Sequence, residues 1–546
     1  GAQYLRFKQW VDRAVFQQSP GYAYTPADAV VMYAITGEAA YITHAIAKAD
    51  ALVAEAEALI AQGQRPAVSY DSYLEAWWHI EQIALAYDHG YDRLTAQQRT
   101  RWTAYMQQTV YNIWHPEQAS WGGTPHPWTG WGTDDPGNNY FFGHLKTTMY
   151  VALALQDTQL ISFLRTAKFP EIADYYADLP GGGTREGTGY GTAIGSLFDD
   201  FRLWKTATGE DLSQQTPHTR ETLAYWVHAT VPTGDRFAPI GDQSRVSNPE
   251  IFDYHRNLMI QGMALAPGAA EAGQAAWWLD SIDLTQNSQG YALRPALLEP
   301  AVAPQAPPAR VYHATGTGDL FARSAWTEDA LWLAVKAGPY DQSHAHNDQG
   351  SFTLHKRDWL AVTSNVWSRS GLQGNGAGTL ATAVHNTLRF TRNGGLIKQN
   401  NSVSSMTVST QGAVTTVNAA LGNAYSSNAS LVRGWTRQFV FNADQQSLRV
   451  VDACQVAADV RAVFQVHVPV QPVAQPSGSL RAGDLEILPG AGMTVATVNM
   501  RAVDADFNSG WRIDITNPAG CAYDVTLRVP SAMNLPRRVY LPVARR

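Results

Sequence analysis

The sequence has few cysteines, little charge and no long apolar run. Only two of its 546 residues are cysteines, Cys454 and Cys521, and no C-x-x-C pair is present. The two cysteines either form one disulfide bond or stay free, and no zinc or dithiol redox motif is indicated. No run of about 18 apolar residues occurs, so no transmembrane helix is predicted. The N-terminus at Gly1 shows no signal peptide.

The low charge restricts the classes of partner. Charged residues make up 16% of the chain, and the net charge is −7 with a pI near 6.1. These values argue against non-specific nucleic-acid binding, although an acidic protein can still carry a local basic cleft for a polyanion. Tryptophan is abundant, with eighteen residues, and its flat ring suits stacking on sugars as well as core packing. Low charge, many tryptophans and few cysteines together fit a periplasmic or secreted bacterial enzyme.

The length and the pattern of apolar residues predict two domains. Residues 1 to about 290 have helical periodicity, with predicted helices at Ala45–Gln62, Tyr73–Tyr87, Thr95–Trp114, Leu145–Leu155, Ala193–Thr206, His218–Thr230 and Tyr254–Leu265. A proline-rich linker follows at 297–310. Beyond it, short runs of period two, such as Ala330–Lys336 and Ala462–Val468, predict an antiparallel β-sandwich over 311–546.

The segment His344–Phe352, with the sequence HAHNDQGSF, is the leading candidate for a site. In a strand, residues two apart point to the same face, so His344, His346 and Asp348 are expected to project together. Two imidazoles and a carboxylate can bind a metal, transfer a proton or hold an anionic sugar. The structural alternative is polar pairing at a sheet edge.

Three further segments carry candidate residues. The loop GGGTREGTGYG (181–191) presents Arg185, Glu186 and Tyr190, but no βαβ unit surrounds it, so it is not a dinucleotide motif. The segment 128–146 contains, besides its tryptophans, two aspartates and a predicted helix start at Asn138 or Asn139, either of which could simply cap the helix. His385 lies in HNT on a predicted strand, where it could join the two histidines above. Arg369 and Arg433 are further cationic candidates.

Taken in order, these segments resemble the heparinase II/III-like polysaccharide lyases, a group that includes alginate lyases and related uronate lyases. The resemblance rests on ALAYDHGYDRLTAQQR (84–99), GNNYFFGHL, TREGTGYG, APIGDQS (238–244), and HAHNDQGSF followed by HNT. It implies an incomplete α/α toroid over 1–296, a linker at 297–310 and an antiparallel β-sandwich over 311–546. It also implies an active-site cleft between the two domains.

The chain departs from the pattern of the group at three places. The helix-start site often reads Asn-His, but Tyr140 follows the asparagines here, so Asn139 is the expected carboxylate neutraliser and His144 a reserve. The strand after HxH usually ends in a metal-binding Asp, whereas Thr363 stands near that position, with Asn365 two residues on. The second tyrosine that some members carry before HNT is absent from 366–384.

The resemblance implies β-elimination on a uronic-acid polymer. Asn139, Tyr190 and His344 are the expected catalytic residues, with Tyr190 favoured as the base and His344 as the other candidate. A free tyrosine has a pKa near ~10, so nearby cations or an imidazole must assist its deprotonation. The expected substrate-binding residues are His144, Arg185, Glu186, Trp128, Trp131 and Arg369. His346 and His385 would shape the sandwich side of the cleft, with or without a structural zinc or calcium ion, and no cofactor is required.

Two other functions compete with the lyase. A toroid glycosidase needs two carboxylates about 5–10 Å apart, which Asp134 or Asp135 could supply together with Glu186. A non-catalytic glycan-binding protein would need aromatic residues and donors but no base. The expected partner is an anionic polysaccharide, such as alginate, glucuronan, a glycosaminoglycan or an exopolysaccharide, without preference for nucleic acid or membrane. The scarcity of Arg and Lys clusters in the candidate loops favours an unsulfated polymer, and the expected assembly is a monomer or homodimer.

Overall fold

The first half of the chain is helical. The computed structural model describes residues 1–243, 246–284, 293–369, 382–400 and 402–530. Its helices up to residue 284 are α1 Ala2–Phe16, α2 Pro26–Thr36, α3 Ala39–Ala61, α4 Ala76–His89, α5 Ala96–Trp114, α6 Asn139–Ala154, α7 Thr158–Phe163, α8 Phe169–Ala177, α9 Ile194–Thr208, α10 His218–Ala229, α11 Asp253–Leu265 and α12 Ala270–Ser281. All seven helices predicted from periodicity are present, most within a few residues of the predicted bounds.

Local sequence signals explain several helix ends. Thr95 caps α5: its hydroxyl accepts a hydrogen bond from the Gln98 backbone N–H, and the Gln98 side chain accepts one from the Thr95 N–H, as in a capping box. Helix α9 ends at Gly209, whose φ of 79° is in the left-handed region that glycine adopts without strain. The prediction for α6 missed its first turns, because six residues before Leu145 already belong to the helix.

Five of these helices form the inner layer of the toroid. Helices α2, α4, α6, α9 and α11 contact one another in that order, and α6 is buried on nearly every face from Phe141 to Ala152. The remaining long helices lie outside them. The short 3-10 helix Pro295–Leu298 contacts both α11 and α1, so it lies between the two ends of the ring.

The second half is built from strands. They are preceded by a two-strand hairpin in the helical half, β1 Ser120–Trp121 and β2 Thr124–Pro125. The strands are β3 Val311–Ala314, β4 Asp319–Arg323, β5 Trp332–Lys336, β6 Ser351–Lys356, β7 Asp358–Ala361, β8 Leu388–Arg392, β9 Gly395–Leu396, β10 Ser405–Gln411, β11 Val414–Ala420, β12 Val432–Asn442, β13 Ser447–Val456, β14 Val460–Val468, β15 Val473–Ala474, β16 Leu480–Ala482, β17 Leu485–Pro489, β18 Thr494–Asn499, β19 Trp511–Thr516 and β20 Ala522–Arg528, with a short helix α13 at Met500–Val503.

These strands form three antiparallel sheets. One has eight strands in the order β10-β11-β12-β13-β20-β17-β16-β15, and the others have the orders β18-β19-β14-β8-β9 and β3-β4-β5-β6-β7. The fold class predicted from the sequence, a helical toroid followed by an antiparallel β-sandwich, is thereby confirmed.

The sheet β3–β7 joins the two halves. Its side chains alternate between two cores: Phe321 and Trp332 pack with the helices, whereas Leu320 and Leu333 pack with the eight-stranded sheet. Strands β4 and β5 are therefore buried on both faces, as is usual for strands covered on both sides. A sheet shared by both cores fixes the position of the helical half relative to the stranded half.

Polar contacts reinforce this junction. The Arg323 guanidinium donates to the backbone carbonyls of His228 and Thr230. The Tyr225 hydroxyl donates to the Asp319 carboxylate at 2.9 Å. Because these groups are buried, each hydrogen bond satisfies an atom that water cannot reach.

Other predictions concern the linker, the cysteines and the membrane. After Leu298 no helix or strand occurs until Val311, as expected for the proline-rich stretch. Cys454 and Cys521 form a disulfide bond between β13 and the start of β20. No helix in the described ranges has the length and apolar character needed to span a membrane.

Candidate active site

Three loops meet where the helical and stranded halves face each other. They are the loop before α6, the glycine-rich loop at 181–189 and the loop at 340–350 that precedes β6. The Gln342 side chain donates to Asp135 at 3.4 Å, and Arg185 forms an ion pair with Asp341 at 3.0 Å. Segments that are distant in sequence thus form one site.

Tyr190 and His344 stack on each other at the centre of these loops. Their ring centroids are 3.6 Å apart and their planes differ by 13°. Tyr190 begins the 3-10 helix Tyr190–Ala193 in the helical half, whereas His344 comes from the stranded half. The phenol and the imidazole that the sequence predicts to converge therefore share one location.

The glycines beside Tyr190 allow two backbones to approach closely. A Cβ atom on Gly187, whose φ is 92°, would lie 2.2 Å from the Ile240 carbonyl oxygen, and one on Gly189 would lie 2.1 Å from the Asp242 carbonyl oxygen. The Thr188 N–H donates to the same Ile240 oxygen at 2.8 Å. Only glycine tolerates such contacts, so the glycines serve to lay this loop against the segment 240–242.

Asp242 holds both histidines of the HAH segment. Its carboxylate accepts from His344 Nδ1 at 3.1 Å and from His346 Nε2 at 2.8 Å. Burial alone would raise the pKa of Asp242, but the two hydrogen bonds and the nearby imidazoles outweigh burial and lower the pKa. An ionised Asp242 keeps the proton of His344 on Nδ1, so Nε2 of His344 is left as the atom that can accept or deliver a proton.

The structure corrects the predicted geometry of this segment. Residues 340–350 form turns and irregular backbone, and the strand starts only at Ser351. The two histidines converge because Asp242 binds both, and not because of strand periodicity. Asp348 is buried near Lys336 and His346: burial raises its pKa to about 6, and these two neighbours oppose that rise. The backbone must turn sharply here, since Gly350 has a φ of 79° and lies against Trp435.

His346 and His385 lie side by side, with ring centroids 5.2 Å apart. His385 Nδ1 contacts the Thr363 hydroxyl at 3.0 Å, and the Asn365 amide lies 3.2 Å from His346 Nδ1. His385 Nε2 is buried without a hydrogen-bond partner among the described residues. Burial, with smaller effects from the neighbouring histidines, lowers the pKa of His385 well below its ordinary value, so this imidazole is neutral.

The predicted metal ligands do not form a complete set. Of the described side chains, no three from His, Cys, Asp and Glu are grouped so as to hold a metal ion. Where a third ligand would be needed, Thr363 supplies a neutral hydroxyl that already bonds His385. Since structural metal sites generally use four ligands of stronger type, we assign no step to a metal.

At the start of α6 the two asparagines have different tasks. The Asn138 side chain accepts from the Tyr140 N–H at 3.0 Å and caps the helix. Asn139 therefore need not act as the cap, and its Oδ1 is buried without a hydrogen-bond partner within the described chain. Burial, and then the neighbouring Asp71, raise the pKa of the Tyr140 phenol to about 12. A smaller electrostatic effect of Tyr190 acts in the same direction. The Asn139 side chain thus keeps an amide that is not used to cap α6, and its predicted role as carboxylate neutraliser stays a prediction.

His144 packs against the loop before α6. It is fully buried, its Nε2 lies 3.3 Å from the Trp131 carbonyl oxygen, and its ring packs against Trp128. Burial lowers its pKa to about 4, so it is neutral at physiological pH. His144 thus supports the loop before α6 in this structure, and its predicted role in binding substrate stays a prediction.

The predicted tryptophans differ in accessibility. Trp131 is 48% exposed and stands near Tyr140, so it can stack on a sugar. Trp128 packs against Tyr73 with the two rings tilted by 48° and donates its indole N–H to the Asn112 carbonyl at 2.8 Å. This indole serves mainly to hold the loop. Arg369 is exposed, and its backbone N–H donates to Asp506.

The carboxyl groups proposed for a glycosidase are poorly placed for hydrolysis. Glu186 is 1% exposed, and its Oε1 has no hydrogen-bond partner in the described ranges. Burial, and to a smaller extent Asp135, raises its pKa to about 8. A general acid needs access to the glycosidic oxygen, which this burial denies. Asp134 is exposed, and Asp135 is held by the Gly137 N–H and Gln342.

The sequence did not single out three residues that the structure brings into the site. Asp242 lies in APIGDQS, a segment that carried part of the family resemblance, and that match was the available signal for it. Asp341 and Gln342 directly precede the HAH segment and bind Arg185 and Asp135. No spacing rule connects these residues with loops more than 150 residues away.

Known proteins resemble this chain in its C-terminal domain and in its fold. Residues 314–531 match the family model described as Heparinase II/III-like, C-terminal. No curated protein matches the chain in sequence. The resemblance noted from the sequence is confirmed by this family match together with the similar solved structures.

Those structures cover nearly the whole chain. A crystal structure of heparinase III is similar with a TM-score of 0.63 and 13% identity, over 96% of this chain and 76% of that one. Heparan sulfate lyase HepC from Pedobacter heparinus gives a TM-score of 0.60 and 12% identity, over 94% and 76% of the two chains. The heparinase III BT4657 gene product gives 0.60 and 12%, over 96% and 84%. At these identities the likeness establishes the fold.

Proposed function

We propose that this protein is a polysaccharide lyase that cleaves a uronic-acid-containing polysaccharide by β-elimination. The observation that carries the proposal is the stack of Tyr190 on His344, with Asp242 fixing the far side of the imidazole. Solved lyases of similar fold and the C-terminal family match support it. Those enzymes are named for heparin and heparan sulfate, so a polymer of related chemistry is the class of substrate to test first.

The reaction demands three groups. A base removes the proton at C5, the C4–O bond breaks, and a double bond forms between C4 and C5 as the leaving oxygen takes up a proton. The C5 proton is weakly acidic beside an ionised carboxylate, because negative charge builds up next to the first charge. A donor that neutralises this carboxylate therefore lowers the barrier.

Three residues can meet these demands. Asn139 beside the cleft offers an amide donor to the substrate carboxylate. Tyr190 is the proposed base, and His344, with Nδ1 committed to Asp242, supplies or receives a proton through Nε2. Because the two rings are in contact, the change of charge on one ring when it takes up a proton is partly offset by the other ring. Arg185 is held by Asp341 at the rim, where it can bind a second acidic sugar.

We also place the enzyme in the periplasm or outside the cell. A polymer of this kind is met there, and a Cys454–Cys521 disulfide persists in oxidising compartments. Arg185, the described cation at the rim of the site, is already paired with Asp341, and this favours an unsulfated polymer.

The test is a panel of uronate polymers assayed by near-ultraviolet absorbance. A lyase product carries a double bond conjugated to the carboxylate and absorbs, whereas a hydrolase product does not. We expect absorbance to rise with at least one polymer, and Tyr190→Phe and His344→Ala each to lower kcat by about 100-fold or more, as is typical of lost acid–base catalysis. Reducing sugar released without absorbance would contradict the proposal, as would normal turnover by Tyr190→Phe.

A further inference from the structure

A pocket, called the chamber below, lies among the inner helices of the toroid. It has a volume of about 290 Å³ and is lined by residues from all five inner helices. Thr192, two residues after Tyr190, is part of its wall. Two residues span at most about 7 Å, so Thr192 lies within that distance of Tyr190 along the chain. A sugar that contacts Thr192 in the chamber would therefore have its glycosidic bond close to the Tyr190–His344 pair.

The walls of the chamber suit a sugar ring. Trp77 and Trp78 supply aromatic faces, and Thr192, Ser196 and Gln261 supply uncharged polar groups. Gln261 is only 9% exposed, and its Oε1 accepts no hydrogen bond from the residues described. Aromatic faces combined with a few placed polar groups are what small-molecule sites use for binding and orientation.

The cations of the chamber are already neutralised. Lys146 pairs with Asp199 at 2.7 Å, and Arg294 pairs with Asp28 at 2.7 Å and with Glu81 at 2.6 Å. No strong positive potential is left for a sulfate group. The chamber therefore suits a sugar that carries at most its own carboxylate.

The same ion pairs limit the depth of the chamber. Lys146 joins α6 to α9, and Arg294 joins α2 to α4 from the segment after α12. Asp28, Glu81 and Lys146 are nearly fully buried, so these residues form a closed inner part of the chamber wall. A polymer chain cannot continue through this wall, so a sugar held against it is expected to be the end of its chain.

We infer that the chamber binds the terminal sugar of the polymer, so that the enzyme acts from a chain end and releases short products of one size. The volume of about 290 Å³ is at the low end of the roughly 300–1,000 Å³ of pockets for larger ligands, which fits about one sugar unit. This inference rests on the proposed lyase function and adds the mode of cleavage to it.

The first experiment follows the products of the wild-type enzyme over time on the polymer that gives absorbance. We expect one small unsaturated product from the earliest times, while viscosity falls only in proportion to the absorbance. A ladder of products with a rapid loss of viscosity would overturn the inference and leave the lyase function intact. If no polymer yields an absorbing product, the lyase function itself fails and the inference fails with it.

The second experiment fills the chamber. Ser196→Phe puts a ring into it, and Ser162→Phe, at an exposed position on α7, is the matched control. We expect kcat/KM to fall at least 100-fold in the first variant and to stay within twofold of wild type in the second. Thermal unfolding checks that both variants fold.

A binding measurement supports the test if Ser196→Phe lowers stability. In a Tyr190→Phe background, a trisaccharide of the same polymer should change the intrinsic tryptophan fluorescence, because Trp77 and Trp78 line the chamber. Adding Trp77→Phe should reduce that change by about half or more. An unaltered signal in the double variant would place the terminal sugar elsewhere and overturn the inference.

Discussion

Replacing Asp242 by asparagine tests the arrangement that orients the His344 imidazole, the proposed catalytic group. The carboxylate accepts one hydrogen bond from each of His344 and His346. An amide of the same shape offers one acceptor and one donor, so one imidazole must give up its hydrogen bond or change its tautomer. The fold should survive, because the side-chain volume hardly changes.

The magnitude follows from the bond to His344. A hydrogen bond to a charged group contributes about 1.5–3 kcal/mol. If that contribution is lost in the transition state, where His344 must hold or release a proton, kcat falls by about 10- to 150-fold. KM should change much less, because Asp242 is 6% exposed and does not face the substrate.

The assay is the initial rate of near-ultraviolet absorbance across a pH series, with circular dichroism to verify the fold. The lowered pKa of Asp242 means that the wild-type carboxylate stays charged down to acidic pH. Its contribution to stability is present above the unfolded pKa of about 4 and is lost as the pH falls through the lower folded pKa. The Asp242→Asn variant should not show this loss of stability at acidic pH.

The control is Asp444→Asn, at an exposed turn of the eight-stranded sheet, which should leave both rate and pH dependence unchanged. A folded Asp242→Asn enzyme with wild-type kcat would refute the reasoning, because His344 would then need no carboxylate to orient it.

Three more predictions follow from single contacts. Gly187→Ala should lower the melting temperature and kcat much more than Gly412→Ala: both glycines have positive φ, but only at Gly187 does the new Cβ meet backbone, at 2.2 Å. Glu186→Gln should raise stability at pH 8–9 and not at pH 5. The pKa of Glu186 is about 8 in the folded protein and near ~4.3 in the unfolded chain. The stability of the wild type therefore falls as the pH rises between these two values, by roughly 5 kcal/mol at most. Melting curves at both pH values check this. Thr363→Val should cost about 1–3 kcal/mol in urea unfolding, because His385 Nδ1 loses its partner, whereas Thr407→Val on an exposed strand face should cost less than 0.5 kcal/mol. Equal effects in either matched pair would contradict the corresponding contact.

Periodicity identified most long helices and fewer than half of the strands; where it succeeded, apolar spacing reported directly which face of an element is buried. It failed at the HAH segment, where a loop brings the side chains together. A pair of residues at positions i and i+2 can share a face in a strand or converge in a loop, and the sequence of the pair alone does not distinguish the two.

The sequence alone determined the order of the elements, the helical and stranded halves, and the residue types of the catalytic pair, since these depend on local patterns and on motifs of the family. Only the tertiary structure decided that Asp242 is the carboxylate shared by the two histidines, that Asp348 is buried near Lys336 and His346, and that His144 supports a loop. The first of these depends on contacts between segments about 100 residues apart, whose relative position is set by the sheet β3–β7 packing against both cores. A buried polar group takes whichever partner the packing supplies, and no local pattern encodes that partner.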